Sequence, residues 1–340
     1  MIKKVNTEEA IGMTIAHDLT KVVPGEYKGA RFLKGHVISE DDVAELLKMG
    51  KEHVYVMALE EDELHEDDAA ERLADATVGK GLTYSAPREG KIKPVAEYRG
   101  LVKINLPLLE AINSIGEIII ATIHNNSLCE PNESVAGMRV IPLTVKEEKI
   151  RQVEALCSKQ GKVIEVVPLL ERKTGIVVTG SEVYKGRIKD AFTDIVENKV
   201  NALGSTVTFK TIVPDEVDLI AQAIKEAVSE GAEVVFVCGG MSVDPDDVTR
   251  IGIVEAGASV VFYGIPVLPG SMTLYAKLGD VVVMGVPACV LHDPSTAFDI
   301  LLPRVLTGEQ LTRDDVVKLG HGGLCRACAE CHYPVCPFGK

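Results

Sequence analysis

Two groups of residues in this chain have the types and spacings to do chemistry. The first is a set of three turns: Thr179-Gly180-Ser181-Glu182, Cys238-Gly239-Gly240-Met241-Ser242 and Gly285-Val286-Pro287-Ala288, each following an apolar run. Glycines at 180, 239 and 240 leave room for backbone N–H groups to approach a phosphate or a fused ring. Ser242 and Thr249 add hydroxyl donors, and Glu182, Asp215, Asp244, Asp246 and Asp247 add carboxylates, enough to hold a hard cation such as Mg²⁺ beside a phosphate. A single Gly-Gly would mark only a tight strand-to-helix turn. Three such loops at equivalent strand ends say more.

The second group is Cys325-x2-Cys328-x2-Cys331-x4-Cys336-Pro337, which crowds four of the eight cysteines into the carboxyl-terminal tail, with Pro334 and Pro337 stiffening its turns. In a reducing compartment such a cluster is expected to hold metal rather than to form disulfides. The pattern is close to the bacterial ferredoxin run, whose last spacing is three residues before Cys-Pro. A tetrahedral zinc site uses the same ligands, so an iron–sulfur cluster and Zn²⁺ both stay open. His332 lies inside the cluster, and His321 reads as an exposed linker residue. The histidines at 17, 36, 53, 65, 124 and 292 show no pairing at ligand spacing and read as structural. No Ser-His-Asp arrangement, Walker-type phosphate loop or GxGxxG fingerprint is present.

The elements that would position these loops can be read from periodicity. Gly175 to Thr179 is a buried strand entering a glycine turn. Asp190 to Leu203 is a helix stopped by Gly204, Thr206 to Ile212 a strand, and Val217 to Ser229 a helix. Glu233 to Cys238 and Asp280 to Met284 are further strands. Alternation of apolar strands with amphipathic helices predicts an α/β domain with an open, mostly parallel sheet, whose ligands bind beyond the strand carboxyl ends. Upstream lie smaller β-rich and α+β segments. In residues 1–70, Gly25 to Gly35 suits hairpin turns, Ser39 caps a helix over Glu40 to Met49, and His53 to Met57 is a strand. The run of seven carboxylates from Glu60 to Asp68 reads as a solvated helix face or linker. Residues 71–160 read as a small, barrel-like β-rich domain, with a helix over Leu106 to Ile115 and a linker helix over Lys146 to Lys159. Residues 161–310 are the α/β domain and 311–340 the cysteine tail.

The 340 residues suffice for two or three domains, and 46% hydrophobic with 25% charged residues is the balance of a globular protein. A net charge of −14, from 36 basic and 50 acidic residues, argues against a nucleic-acid footprint. No apolar stretch approaches the roughly 20 residues that span a bilayer. The amino terminus lacks the apolar run of a signal peptide, so a cytoplasmic location is expected. With no Trp and 4% aromatics, the cores must rely on Val, Ile, Leu and Ala.

The strand-end loops resemble the molybdopterin-binding domain shared by molybdopterin adenylyltransferases and molybdopterin molybdenumtransferases. The resemblance rests on Val178-Thr179-Gly180-Ser181-Glu182 with Gly186-Arg187-Ile188, Val213-Pro214-Asp215, Gly239-Gly240-Met241-Ser242-Val243 with Asp247, and Pro269-Gly270, over about 130 residues. Ala10 to Asp18 also looks like the opening of the molybdenumtransferases. The resemblance implies a pterin pocket at Thr179, Gly180, Ser181, Gly239, Gly240, Met241, Ser242, Pro269, Gly270 and Pro287. It further implies Glu182, Asp215 and Asp247 as the acids that bind Mg²⁺ or act on the adenylated cofactor, and a homodimer. Three segments depart from the family pattern. Gly180-Ser181-Glu182 replaces Gly-Asp-Glu, and Val286-Pro287-Ala288-Cys289-Val290 replaces Leu-Pro-Gly-Asn-Pro. Leu268-Pro269-Gly270-Ser271-Met272 replaces Lys-Pro-Gly-Lys-Pro, removing both lysines that would meet molybdate.

The expected activity is therefore insertion of molybdate or tungstate into adenylated molybdopterin with release of AMP, a reaction between anions that needs a divalent cation. The alternative is a non-catalytic carrier that holds molybdopterin for a recipient metalloenzyme. A third reading is a redox or metal sensor. Cys289 is expected either as a buried structural thiol or as a soft contact to the metal or dithiolene.

Overall fold

The computed structural model describes residues 2–23, 27–57 and 62–340. Gly25 and Glu26 of the glycine-punctuated stretch, and Glu60 and Glu61 of the acidic run, lie outside the described residues. Two compact units emerge. One comprises Met1–Tyr98, Val102–Ile123 and Cys129–Val166, the other Arg99–Leu101, His124–Leu128 and Val167–Lys340.

In the first unit, Lys3–Asn6 pairs antiparallel with His53–Val56, and Leu19–Val23 with Tyr27–Phe32. These strands enclose Ile15, Leu19, Phe32, Ile38, Leu46 and Val54. The helix Glu40–Lys48 begins with a full capping box between Ser39 and Asp42. A second core gathers around the helices Glu66–Thr77 and Glu147–Gln160 and the three-stranded sheet ordered Ile118–Thr122, Ala136–Val140, Lys91–Ile92. Sheets of two or three strands with three intervening helices take the place of the expected barrel. The helix Glu66–Thr77 runs across the boundary expected at residue 70.

The acidic run is not simply solvated. His65 is buried and caps that helix, its Nδ1 accepting from the Asp67 N–H (3.1 Å) and from Lys34 Nζ (2.7 Å), while its Nε2–H donates to the Ala16 carbonyl. Glu66 is only 4% exposed. Burial, reinforced by Asp67 and Glu89 and opposed by Arg139 and Lys34, pushes its carboxyl up to about 7. The Arg139 guanidinium stands 3.8 Å away, too far for a tight pair.

In the second unit we label the strands β1 (Lys173–Thr179), β2 (Thr206–Val213), β3 (Val234–Cys238), β4 (Ser259–Tyr263), β5 (Leu274–Leu278) and β6 (Val281–Val286). The helices are α1 (Ser181–Tyr184), α2 (Phe192–Ala202), α3 (Val217–Ser229), α4 (Thr249–Glu255), α5 (Ala297–Leu306) and α6 (Arg313–Val317). The sheet order is β2-β1-β3-β6-β5-β4. The first four strands are parallel; β5 and β4 are antiparallel additions at one edge. The mixed α/β class with a mostly parallel sheet is the one the strand–helix alternation predicts.

Because successive side chains in a strand point to opposite faces, β1 feeds both cores. Ile176 and Val178 pack with α2 and α5, through Val196, Phe298 and Leu301. Val177 packs with α3 and α4, through Ile220, Ile224 and Ile253. Each fully buried aliphatic side chain contributes about 1.5–3 kcal/mol. Gly175 lets α3 come close, since a Cβ there would stand 3.0 Å from the Ala227 methyl. Among the described residues no helix is long and apolar enough to cross a membrane.

Glu66 yields a signed pH dependence. Between pH 4.5 and about 7 the folded state holds a proton that the unfolded chain has released, so stability falls as pH rises through that window. The penalty is complete above pH 7 and on the order of 3 kcal/mol. Glu66→Gln is expected to raise the unfolding midpoint by several degrees at pH 8 and to leave it nearly unchanged at pH 4.5, measured by circular dichroism melts. Equal shifts at both pH values would show that the carboxyl is not held neutral.

Candidate functional site

Strand register builds the site. Thr179 lies opposite Val213, Val178 opposite Cys238, Cys238 opposite Val286, Gly285 opposite Leu274, and Leu274 opposite Tyr263. The carboxyl ends of β1, β2, β3 and β6 therefore form one rim. The antiparallel β4–β5 connection brings Pro269 and Gly270 to the same level. Backbone bonds stitch the rim: Gly180 N–H donates to the Val213 carbonyl (3.1 Å) and Gly239 N–H to that of Val286 (3.3 Å).

Two consecutive residues at its centre have positive φ, Gly239 at 97° and Gly240 at 56°. A Cβ on Gly239 would lie 2.5 Å from the Thr179 carbonyl oxygen, and one on Gly240 would overlap the Thr249 hydroxyl. Only glycine fits either place. Thr179 and Thr249 are both buried, and their hydroxyls are 2.9 Å apart. Thr179 Oγ1 donates to the Cys238 carbonyl (3.3 Å), which can only accept, so the Thr249 hydroxyl donates to Thr179. Thr249 was expected as a ligand donor; its hydroxyl instead ties the first turn of α4 to the end of β1.

Other expected site residues divide similarly. Met241 is buried on Gly285, where a Cβ would stand 2.6 Å from its methyl group, so its side chain is core and only its backbone is on the rim. Ser181 is half-buried and forms a reciprocal pair with Asp215: its N–H donates to Asp215 Oδ2 (2.7 Å), and the Asp215 N–H donates to Ser181 Oγ (3.3 Å). Asp247 accepts from the Asp244 N–H (3.2 Å) and closes its own loop. Glu182 is exposed, its carboxylate lying over Gly180, and Ser242 is exposed. Pro287 is buried, as is Gly270, which packs on Ala297. Cys238, wholly buried beneath the rim, has its thiol pushed far up by burial and stays protonated. Cys289 is half-buried.

The acids do not assemble into a cation site. Among the described residues no group of three or more His, Cys, Asp or Glu side chains is placed to hold a metal ion. In the conformation described, Glu182, Asp215 and Asp247 do not converge on a cation, and no chemical step is assigned to Mg²⁺.

What the sequence reading passed over is positive charge. Lys185, Arg187 and Lys189 are exposed just after α1, and Arg250 is exposed on α4 with its guanidinium 5.0 Å from the Tyr263 ring centroid. The Tyr263 hydroxyl in turn donates to the Met241 carbonyl (2.8 Å). The clustering of Lys185, Arg187 and Lys189 within five residues was visible in the sequence; the Arg250–Tyr263 contact was not.

Comparison with known proteins decides the type of domain. Residues 175–307 match the family model described as a probable molybdopterin binding domain. This segment is a molybdopterin-binding domain. The match covers the rim from β1 to α5. Residues 4–58 match a separate domain of unknown function. The molybdopterin molybdenumtransferase of Bacillus subtilis is 28% identical over 127 residues, 35% of this chain and 29% of that protein. A CinA-like protein of Frankia casuarinae is 36% identical over 81 residues, 24% of this chain and 18% of its own length. The tungsten cofactor synthesizing protein MoaB from Pyrococcus furiosus has 21% identity and a TM-score of 0.33, covering 40% of this chain and 92% of that one. This chain spans 30%, 18% and 32% of three of the curated relatives it matches, under a third in each case.

The wedge of Gly240 against Thr249 can be tested as a double-mutant cycle. Gly240→Ala is expected to cost about 2–3 kcal/mol, from its positive φ and the overlap. Thr249→Ala alone should cost about 1–2 kcal/mol for the lost buried hydrogen bond. The double variant should lose less than the sum, by about 1 kcal/mol, because the overlap disappears with the hydroxyl. Urea unfolding gives all three values; strict additivity would mean the two positions do not touch.

Proposed function

We propose that this chain binds molybdopterin, or its adenylated form, along the rim of β1, β3 and β6, and holds it for cofactor assembly or for delivery to a molybdenum- or tungsten-dependent enzyme. The observation that carries the reading is the paired Gly239-Gly240 turn, wedged against Thr179 and Thr249, together with the exposed cationic segment that follows α1. With both Cβ positions taken up by Thr179 and Thr249, the turn presents backbone at the strand ends, where open parallel sheets bind their ligands. Arg187, Lys185 and Lys189, with Arg250, supply charge complementary to phosphate, and Arg can bind it through two N–H groups at once. Net acidity elsewhere does not oppose this, because screening confines each charge to about 8–10 Å at moderate salt.

The carrier reading is favoured over insertion by two features. The Asp215 carboxylate is engaged by the Ser181 N–H of the neighbouring strand end, and that of Asp247 by the Asp244 N–H of its own loop. Leu268 and Ser271–Met272 flank Pro269-Gly270 where lysines would meet an oxyanion. Glu182 favours the other reading. It is exposed over Gly180 and stands in the motif position of a catalytic acid, free to act on a bound adenylate.

One assay separates the two. Purified chain is incubated with adenylated molybdopterin, molybdate and Mg²⁺, and both bound pterin and released AMP are measured. The carrier reading expects retained pterin with AMP release no faster than without protein. Replacing Arg187 and Lys189 together with Ala should weaken binding at least tenfold, with a smaller salt dependence. Catalysed AMP release, abolished by Glu182→Gln, would instead assign molybdate insertion. Absence of any pterin binding would remove both readings.

A further inference from the structure

The carboxyl-terminal tail is folded onto the second unit and closed on itself. Leu324 makes a parallel bridge with Leu268: the Leu268 N–H donates to the Gly323 carbonyl and the Cys325 N–H to that of Leu268, both at 2.8 Å. At the far end the Gly339 N–H returns to the Gly322 carbonyl (3.0 Å), so that residues 322–339 form a closed loop. Two aromatic residues pin it. The Tyr333 hydroxyl donates to the Asp299 carbonyl on α5 (2.9 Å), and Phe338 is 3% exposed. Gly339 is pressed against Ile300, where a Cβ would lie 2.5 Å from its terminal methyl.

All four tail cysteines fall inside this loop, and all four line one cavity of about 140 Å³, with His332 on its wall. The remaining cysteines are elsewhere: Cys129, Cys157 and Cys238 are buried in cores, and Cys289 is half-buried outside the cavity. The thiols line the walls without converging. One change of χ1 rotamer carries a cysteine sulfur roughly 3 Å; Cys328 and Cys331 are exposed, and the Cys331 sulfur would exchange its 3.2 Å contact with the Ser295 hydroxyl. The stretch between the anchors has little to order it. Residues 325–332 contain no regular structure, and Arg326 to His332 are exposed. A short polar loop of this kind cannot offset its ordering entropy by burial, whereas a shared metal ligand set can.

We propose that Cys325, Cys328, Cys331 and Cys336 are the ligands of a [4Fe–4S] cluster seated in this cavity. Two successive two-residue spacings place three thiolates on one turn of chain, as three corners of a cubane require, and Cys336 supplies the fourth from across the Tyr333–Pro334 bend. Zinc can use the same four ligands, but two successive two-residue spacings followed by a Cys-Pro are the run that iron–sulfur proteins use. Seating is a ligand exchange. A preformed [4Fe–4S]²⁺ core trades four external thiolates for four cysteine thiolates, four protons pass from the cysteines to the departing thiolates, and no electron moves. The site stands on the tail alone and does not depend on the pterin reading. Its walls include Asp293 and Ser295, just beyond the Pro287 loop, and its anchor Leu268 adjoins Pro269-Gly270.

The test uses the full chain, anaerobically, with a [4Fe–4S] cluster carried by a small-molecule thiol, followed by gel filtration. About four iron and four sulfide per chain, with the broad visible absorption of iron–thiolate charge transfer, are expected. Cys328→Ala, at an exposed position, should retain the far-ultraviolet circular dichroism of the parent and lose most of the iron. Cys289→Ser should keep both. Retention of one zinc per chain in place of iron, no retained iron, or iron content unchanged in Cys328→Ala would each overturn the assignment.

Discussion

The approach of Gly239 to the end of β1 is the constraint on which the molybdopterin-binding domain depends. With 2.5 Å between the Thr179 carbonyl oxygen and the place a Cβ would occupy, the two strand ends are as close as backbone allows. Any side chain there would push β3 from β1, disturb the register that sets Val178 against Cys238, and lower the Thr179 hydroxyl away from Thr249. The rim, the first turn of α4 and the β3–α4 loop all take their positions from that contact. The buried sheet beneath supplies the stiffness, with Val177, Val235 and Val283 on one face and Ile176, Phe236 and Met284 on the other.

How much of this was legible in the sequence follows from the range of the interactions. α3 was readable over Val217–Ser229 because five buried residues recur on one face, a local signal. The parallel strands were readable as short apolar runs ending in glycine or proline. The two strands added beyond β6 were not: Leu274–Leu278 is apolar enough for a strand but is followed within three residues by another, and Ser259–Tyr263 has only one fully buried side chain. Nor was α5 recognised, since Pro303 lies inside it and its capping box, Thr296 with Asp299, was hidden behind Pro294. In the first unit, helix formation from Glu66 onward buries one member of an acidic run that composition alone places in water.

The site was legible to the same extent. Glycine positions announce themselves because their role is conformational and local. The hydroxyl bond between Thr179 and Thr249 joins residues seventy apart, and nothing in either neighbourhood marks it. The same applies to Asp215, whose carboxylate was read as a cation ligand and is found bonded to the Ser181 N–H. Residue type limits what a side chain can do, but which of those options it takes depends on the partners that folding brings to it.

The segment from Met241 to Val248 is held at both ends. Gly240 is fixed against β1, and Thr249 is fixed by its hydroxyl, while Ser242, Val243, Asp244, Pro245 and Asp246 between them are exposed. Such a tether separates two kinds of change. Insertions or substitutions between the fixed points alter the surface offered to a ligand without loosening the sheet below. A scaffold of this kind can diversify what it recognises while its folding stability stays nearly constant.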